Sequence, residues 1–385
     1  MTRRRLAAVA LLAGLAAGCE SLYDRQAFDR EEVPIFRRTT LVPAPAAGDV
    51  TRLRVMAWNI KYGAGRIPFW FDCFGDRVRM TRAEVDANMQ RLYDFINEVQ
   101  PDVLMTEETD LNARRSAYVD MVRGILEHTN LNYAAWFETW DSRYIASEGL
   151  GRMNLGNVVF SRYPIRYAER VKQVDRTDQS ALTSAFYIHR AVGRAELELS
   201  PGRRVTAMVV HTEAYDNDGT KQKQIAQIYD LMKAEQQPFI VGGDFNELPP
   251  TAKRLEGFPD ERTRPVCDAA YKQPPYTPQV MQRFYDDFTP AIGLDRYGTT
   301  EAEQQRYYSH SVLGPDDTND AGVRGEWNRT LDYLWVRKSD ALLDGDVLQR
   351  AGQLVTAPSG EKVPLASDVL RLSDHAPVFG IWEVR

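Results

Sequence analysis

Short apolar runs punctuate the chain from residue 53 onward. Leu53–Ile60, Val103–Thr106, Gly156–Phe160, Val205–Val210, Phe239–Val241, Leu331–Val336 and Val378–Trp382 are rich in β-branched or aromatic residues and bounded by turn formers. That profile predicts buried strands. Two longer segments repeat their apolar residues at helical spacing. Arg82–Val99 places Val85, Met89, Leu92, Phe95, Ile96 and Val99 on one face, with Pro101 just beyond its end. A stretch from about Lys221 to Glu235 does the same with Ile225, Ile228, Leu231 and Met232. Both predict amphipathic helices. Helix and strand in alternation imply a layered α/β fold in which helices cover sheets.

The pattern before residue 53 is different. Arg3, Arg4 and Arg5 precede an apolar run, Leu6–Ala17, that is too short to span a bilayer and has the layout of a secretory signal. It ends in Leu15-Ala16-Ala17-Gly18-Cys19, which resembles a bacterial lipobox with Ala16 in place of the usual leucine. The expectation is a signal peptide over 1–18, a lipid on Cys19, and an exported protein held in the bacterial cell envelope. An ordinary signal cleaved nearby is the alternative. Residues 19–50 mix charge with Pro and Ala, as in Val42–Gly48, and read as a tether. Residues 51–385 then form the folded domain.

Composition narrows the picture only where it touches partners. At 43% hydrophobic and 26% charged, the chain has ample material for a core. Its formal charge is −6, and losing three arginines with the signal takes it to −9. An acidic protein has little long-range attraction for a polyanion, so nucleic-acid binding would rely on local basic patches and bound cations. Cys73 and Cys267 remain after the signal, free to pair in an oxidising compartment or to stay as buried thiols. No Cys-His cluster has zinc spacing.

Residues able to bind metal or move protons stand at the ends of the predicted strands, where a sheet can present them along one edge. They are Asn59, Glu107 with Glu108, His211, Asp244 with Asn246, Asp332, and Asp374 with His375. Polar groups ending apolar strands are costly unless something pairs them. A set dominated by oxygen ligands suits Mg²⁺, Mn²⁺ or Ca²⁺ better than zinc.

Taken in order, these motifs resemble the endonuclease/exonuclease/phosphatase superfamily. They run from a strand ending in Asn59, through Pro101-Asp102 and then Glu107-Glu108, to Asn157, Ser161, Pro164 and Ile165 of a Gly-Asn-x-x-x-Ser-x-x-Pro-Ile motif. A strand ending in His211, Gly243-Asp244-Phe245-Asn246, Asp332-Tyr333 and Ser373-Asp374-His375-Ala376-Pro377 complete the series. The resemblance implies a four-layer α/β sandwich, with two mixed β-sheets face to face and helices outside. It also implies a metal-dependent phosphoesterase. Glu108 would be the principal metal ligand, with Asn59 and Asp374 completing or supporting the site. The metal, Mg²⁺ or else Mn²⁺ or Ca²⁺, would neutralise a phosphoryl oxygen and lower the pKa of a bound water. His375 would be general base or phosphate-orienting group, its tautomer fixed by Asp332. Asp244 and Asn246 would position the attacking water, with Asp244 as base in some branches, and His211 would donate to a phosphate oxygen or protonate the leaving oxygen.

Several points stay open. The family usually has Gln where this chain has Glu107, whose extra carboxylate either binds a second cation or points into the layer behind. Arg190 lies roughly where several family members put a basic residue near the phosphate, and a solvated arginine is the competing reading. His128, His189 and His310 read as structural. Residues 252–328 form an insertion beside the active-site edge whose aromatics would stack bases, grip a lipid headgroup or fill a satellite core. The leading expectation for substrate is a nucleic acid, making the protein a nuclease or related phosphodiesterase. A phospholipid or inositol phosphate is the alternative, and a non-catalytic surface-binding lipoprotein is the rival from another class.

Overall fold

A computed structural model describes residues 28–43, 50–70, 75–146, 149–215, 217–260, 276–319 and 321–384. The signal peptide, Cys19, Cys73 and Cys267 lie outside the described residues. The strands in chain order are β1 (Arg30–Glu32), β2 (Ile35–Arg37), β3 (Arg52–Asn59), β4 (Val103–Asp110), β5 (Tyr133–Ile145) and β6 (Gly151–Ser161). There follow β7 (Ile165–Lys172), β8 (Ala191–Ser200), β9 (Arg203–His211), β10 (Phe239–Asp244) and β11 (Phe288–Pro290). The last are β12 (Asp332–Arg337), β13 (Ala341–Val347), β14 (Leu354–Thr356), β15 (Lys362–Pro364) and β16 (Val378–Glu383). The principal helices are α1 (Arg82–Val99), α2 (Met121–His128), α3 (Thr220–Ala234) and α4 (Gln282–Asp287).

Two seven-stranded mixed sheets result, ordered β13-β16-β3-β4-β6-β5-β2 and β1-β7-β8-β9-β10-β12-β11. Period-two alternation assigns each face of the second sheet. Val205, Ala207 and Val209 of β9, Ile240 of β10 and Leu334 and Val336 of β12 belong to the large core shared with the first sheet. Their neighbours Met208, Val210, Phe239, Val241, Tyr333 and Trp335 pack with Ile225, Ile228 and Met232 of α3. Val85, Met89, Leu92, Phe95 and Ile96 of α1 cover the first sheet. The order helix, sheet, sheet, helix is the expected four-layer sandwich.

Local signals account for the ends of α1. Thr81 and Glu84 form a capping box at its start, and Gln100 closes it in a left-handed conformation with φ 51° before Pro101. The glycine pair in β10 brings the two sheets together beneath the future site. A Cβ on Gly242 would lie 2.6 Å from Met105 and 2.9 Å from Ala57 of the facing sheet, and one on Gly243 only 2.1 Å from the Val210 carbonyl.

One expectation needs correction. Part of the stretch read as a tether is built into the fold: β1 pairs with β7 and β2 with β5, both antiparallel at sheet edges. These segments are three residues each, too short for a periodicity to register. The segment 252–328, where described, contributes to the sheets, since β11 extends the second sheet along β12. Its aromatics fill cores. Phe284 and Phe288 join the α3 side, and Tyr276 packs with Phe258, Leu248 and Leu331.

Candidate active site

Strand polarity gathers the chemistry at one edge. Asn59 ends β3 beside Glu107 of parallel β4, and His211 ends β9 beside Asp244 of parallel β10. Asp332 opens β12 opposite Asp244. Asp374 and His375 come just before β16, whose first residue Val378 pairs with Ala57 of β3.

A bulge divides the two adjacent glutamates. The register of β4 against β6 shifts between Thr106 and Thr109, and Glu108 takes φ 52°. Bulges of this kind re-aim side chains next to active sites. Glu108 turns into the cleft, where the Asn59 amide donates to it at 3.2 Å. Glu107 turns inward, fully buried against Gly243, with neither oxygen bonded to another described side chain. The alternative of a carboxylate pointing into the layer behind is therefore the one observed. Burial, then the charges of Asp332 and Asp244, push its pKa well above 4.5. Because the folded state holds this proton more tightly than the unfolded chain, Glu107 costs stability as pH rises above its unfolded value. Glu107→Gln should therefore gain on wild type by up to about 1.4 kcal/mol for each pH unit above that value. Denaturation midpoints of both proteins at pH 5 and pH 8 check this, and a difference independent of pH would contradict it.

Asp244 is the centre of the site. Its Oδ2 lies 3.3 Å from Asn246 Nδ2, 3.4 Å from Asn59 Nδ2, 3.5 Å from His211 Nε2 and 3.6 Å from His375 Nε2. Asn246 is held in the left-handed region, φ 47°, by its own amide on Asp244 Oδ1 at 2.8 Å and its side chain on the Thr212 carbonyl at 3.0 Å. Asn tolerates that region better than most residues. Desolvation, with Asp332 and Glu108 adding to it and His375 opposing, raises the Asp244 pKa to about 7.

The two site histidines differ in charge. Burial disfavours the charged form of His375, yet the carboxylates of Asp332 and Asp244 hold its pKa at about 10. Its Nδ1 donates to Asp332 at 2.9 Å, and Asp332 in turn accepts from Ser309 Oγ at 2.6 Å. His211 is held well below 6.5 by burial, then by the charges of Arg190 and His375. Against the penalty of burial, Lys61 keeps the Asp374 pKa low, with Nζ 3.1 Å from Oδ2.

Reasoning from sequence passed over Lys61 and Ser309 and read His310 as structural. Lys61 follows Asn59 by two residues in a turn with φ 44°, its amide on Asn59 Oδ1 at 3.0 Å. Asn59 thus gives its oxygen to that amide and its nitrogen to Glu108 and Asp244, which orients both carboxylates. His310, expected to be structural, packs its ring edge-on against His375 at 4.5 Å. Both it and Ser309 come from the insertion, which no spacing argument ties to the site. Arg190 is only 6% exposed and makes no hydrogen bond or ion pair through its side chain to any described residue. The solvated reading does not hold for it. His128 stacks on Tyr93, and His189 bonds Asp175, away from these groups.

The donors fit a hard divalent cation. Among the described residues, no lysine or arginine lies at ion-pair distance from Glu108, which faces the cleft. Asp244, Asp332 and His375 also bring potential ligand atoms within 4.8 Å of one another, although His375 could serve there only in its unprotonated form. Oxygen-rich sets of this kind favour Mg²⁺, Mn²⁺ or Ca²⁺.

Known proteins share the architecture. An endonuclease/exonuclease/phosphatase protein from Beutenbergia cavernae aligns over 87% of this chain and 72% of its own, with 16% identity and a TM-score of 0.50. A mannosyl-6-phosphatase from Bacteroides thetaiotaomicron is 13% identical over 86% of this chain and 99% of its own, TM-score 0.46. D. rerio TDP2, solved with a single-strand DNA product, gives the same four figures. No curated protein sequence matches this one significantly. The model of the Endonuclease/Exonuclease/phosphatase family matches residues 56–375, a span that runs from β3 to His375 and takes in each of the groups around Asp244. The chain belongs to the endonuclease/exonuclease/phosphatase family.

Proposed function

We propose that the protein hydrolyses phosphate esters with the help of a divalent cation, as a nuclease or related phosphodiesterase. The observation that carries this reading is the ring of nitrogen groups around Asp244 Oδ2, at 3.3 to 3.6 Å. The two histidine separations, 3.5 and 3.6 Å, are too long for good hydrogen bonds, so those rings keep donor capacity for an incoming oxyanion. The unpartnered Arg190 guanidinium adds to it. A buried cation without a counter-ion is costly, and a substrate phosphoryl group would supply the missing charge.

Each residue then has a task. Asp244, with a pKa near working pH, takes the proton of the attacking water. Asn246 and Asn59 hold Asp244 in place, and Arg190 and neutral His211 donate to non-bridging phosphoryl oxygens. Protonated His375, oriented by Asp332, is the acid available as the ester oxygen leaves. His211 is too weak a base to arrive charged. A divalent cation held through Glu108 would supply positive charge to the phosphoryl oxygens.

Substrate class is tested by offering plasmid DNA, RNA, sphingomyelin, an inositol polyphosphate and bis-p-nitrophenyl phosphate with Mg²⁺ or Mn²⁺, using wild type and Arg190→Met. Cleavage of nucleic acid or of the simple diester is expected. Arg190→Met should lower kcat/KM roughly 10- to 100-fold, the value of a hydrogen bond to a charged group. It should leave the denaturation midpoint of the free protein equal or higher, since it removes an uncompensated charge. Turnover confined to sphingomyelin or the inositol phosphate would favour the lipid or sugar phosphoesterase, and silence across the panel would overturn the reading.

A further inference from the structure

The charge within the cleft is lopsided. On the β16 side, Asp374 Oδ2 faces Lys61 Nζ at 3.1 Å, and Oδ1 lies 3.3 Å from Ser373 Oγ, whose hydroxyl also reaches the Asn59 carbonyl at 2.8 Å. The Lys61 side chain is 3% exposed, and Arg66 and His375 add further positive charge around Asp374. On the β4 side, Glu108 is 26% exposed and has the Asn59 amide at 3.2 Å and His211 at 4.0 Å. Of the cations that act on it, Arg115 already spends its fork on Asp110 at 2.9 and 3.0 Å, and His375 is turned to Asp332 and Asp244. One carboxylate of the cleft is neutralised by the protein itself and the other is not.

We infer that Lys61 is a resident cation that fills the place of a second metal, so that the site takes a single divalent cation at Glu108 and none at Asp374. The inference rests on the cation-dependent reading above and deepens it. A divalent ion sharing Asp374 would have to displace a buried ammonium already at ion-pair distance, or sit against it and against Arg66. Glu108 imposes neither penalty, since no described lysine or arginine lies at ion-pair distance from its carboxylate. The turn that delivers Lys61 is itself built into the site, because the Lys61 amide is what fixes the Asn59 side chain toward Glu108. The same three residues, Asn59 to Lys61, therefore orient the ligand for one cation and replace another.

Mn²⁺ binding to the full chain, read by electron paramagnetic resonance and equilibrium dialysis, tests this without reference to turnover. Wild type should bind one Mn²⁺ per chain. Glu108→Gln should weaken that ion roughly tenfold or more, whereas Asp374→Asn should change its affinity by less than about threefold, as expected of a group that is not a ligand. Lys61→Met, which frees Asp374, should admit a second, weaker Mn²⁺, and Lys61→Arg should still admit one. Should Lys61→Met fail to fold, the comparison of Glu108→Gln with Asp374→Asn decides the matter. Two ions in wild type, or one that survives Glu108→Gln and is lost in Asp374→Asn, would overturn the inference. Two ions with cation-dependent hydrolysis would leave the phosphoesterase reading intact, and no bound Mn²⁺ at all would overturn both.

Discussion

Asp332→Asn should cut turnover by roughly 1,000-fold while leaving the fold in place. Asp332 accepts from His375 Nδ1 at 3.1 and 2.9 Å through its two oxygens and from Ser309 Oγ at 2.6 Å. Its charge is the largest influence raising the His375 pKa. An amide in its place presents a donor to the ring, favours the wrong tautomer, and withdraws the support for the imidazolium. Ser309 can reverse its hydroxyl and still bond the amide oxygen, so folding should survive. The pH dependence offers a second readout. Because His375 acts in its protonated form, wild type should stay active until pH approaches about 10, and the variant should lose its residual activity at lower pH. Steady-state rates from pH 6 to 10, with circular dichroism to verify folding, measure both effects. A loss smaller than tenfold would remove His375 from the chemistry assigned to it.

Lys221→Met should produce the largest loss of stability. Lys221 Nζ is 1% exposed, donates to the Asn246 carbonyl at 2.9 Å, and lies 3.3 Å from Oε2 of the fully buried Glu247. Removing one partner of a buried pair strands the other charge, at about 3–5 kcal/mol. Glu247 cannot turn to solvent, because its Oε1 accepts from the amides of Leu248 and Thr277. Adding Glu247→Gln retains that acceptor and deletes the charge, so the double variant should recover most of the loss. Urea denaturation of the two variants tests this, and a single variant within about 1 kcal/mol of wild type would contradict it. Activity should fall too, since Lys221 also donates to the Asn246 carbonyl.

Much of this was legible in the residues. The strands that read clearly, such as Val205–Val210 and Phe239–Val241, are buried on both faces and therefore continuous in their hydrophobicity. Those that did not, β7 and β8 among them, carry alternating polar residues such as Arg166, Arg194, Glu196 and Glu198, which form ion pairs with neighbouring strands. Asn59, His211, Asp244 and Asp332 each end or open a strand, and Glu108, Asn246, Asp374 and His375 lie within a few residues of a strand end, which brings the set to one edge. Roles within the set were less legible. That Asp374 is engaged by Lys61 depends on the left-handed turn after β3, which no pattern of residue types announces. That Glu107 and Glu108 face opposite ways depends on the bulge in β4. Arg190 and the insertion residues Ser309 and His310 meet the site only through the packing of distant segments, a relation that spacing along the chain does not encode.

The central claim is cation-dependent phosphoester hydrolysis at the Asp244–His375 centre. Its most direct test is the hydrolysis of bis-p-nitrophenyl phosphate by wild type and His375→Ala, with Mg²⁺, with EDTA, and with Mg²⁺ restored after EDTA. The account predicts turnover by wild type that disappears in EDTA, returns with Mg²⁺, and is lowered at least about 100-fold in His375→Ala. Equal rates for the two proteins, or turnover indifferent to EDTA, would contradict it.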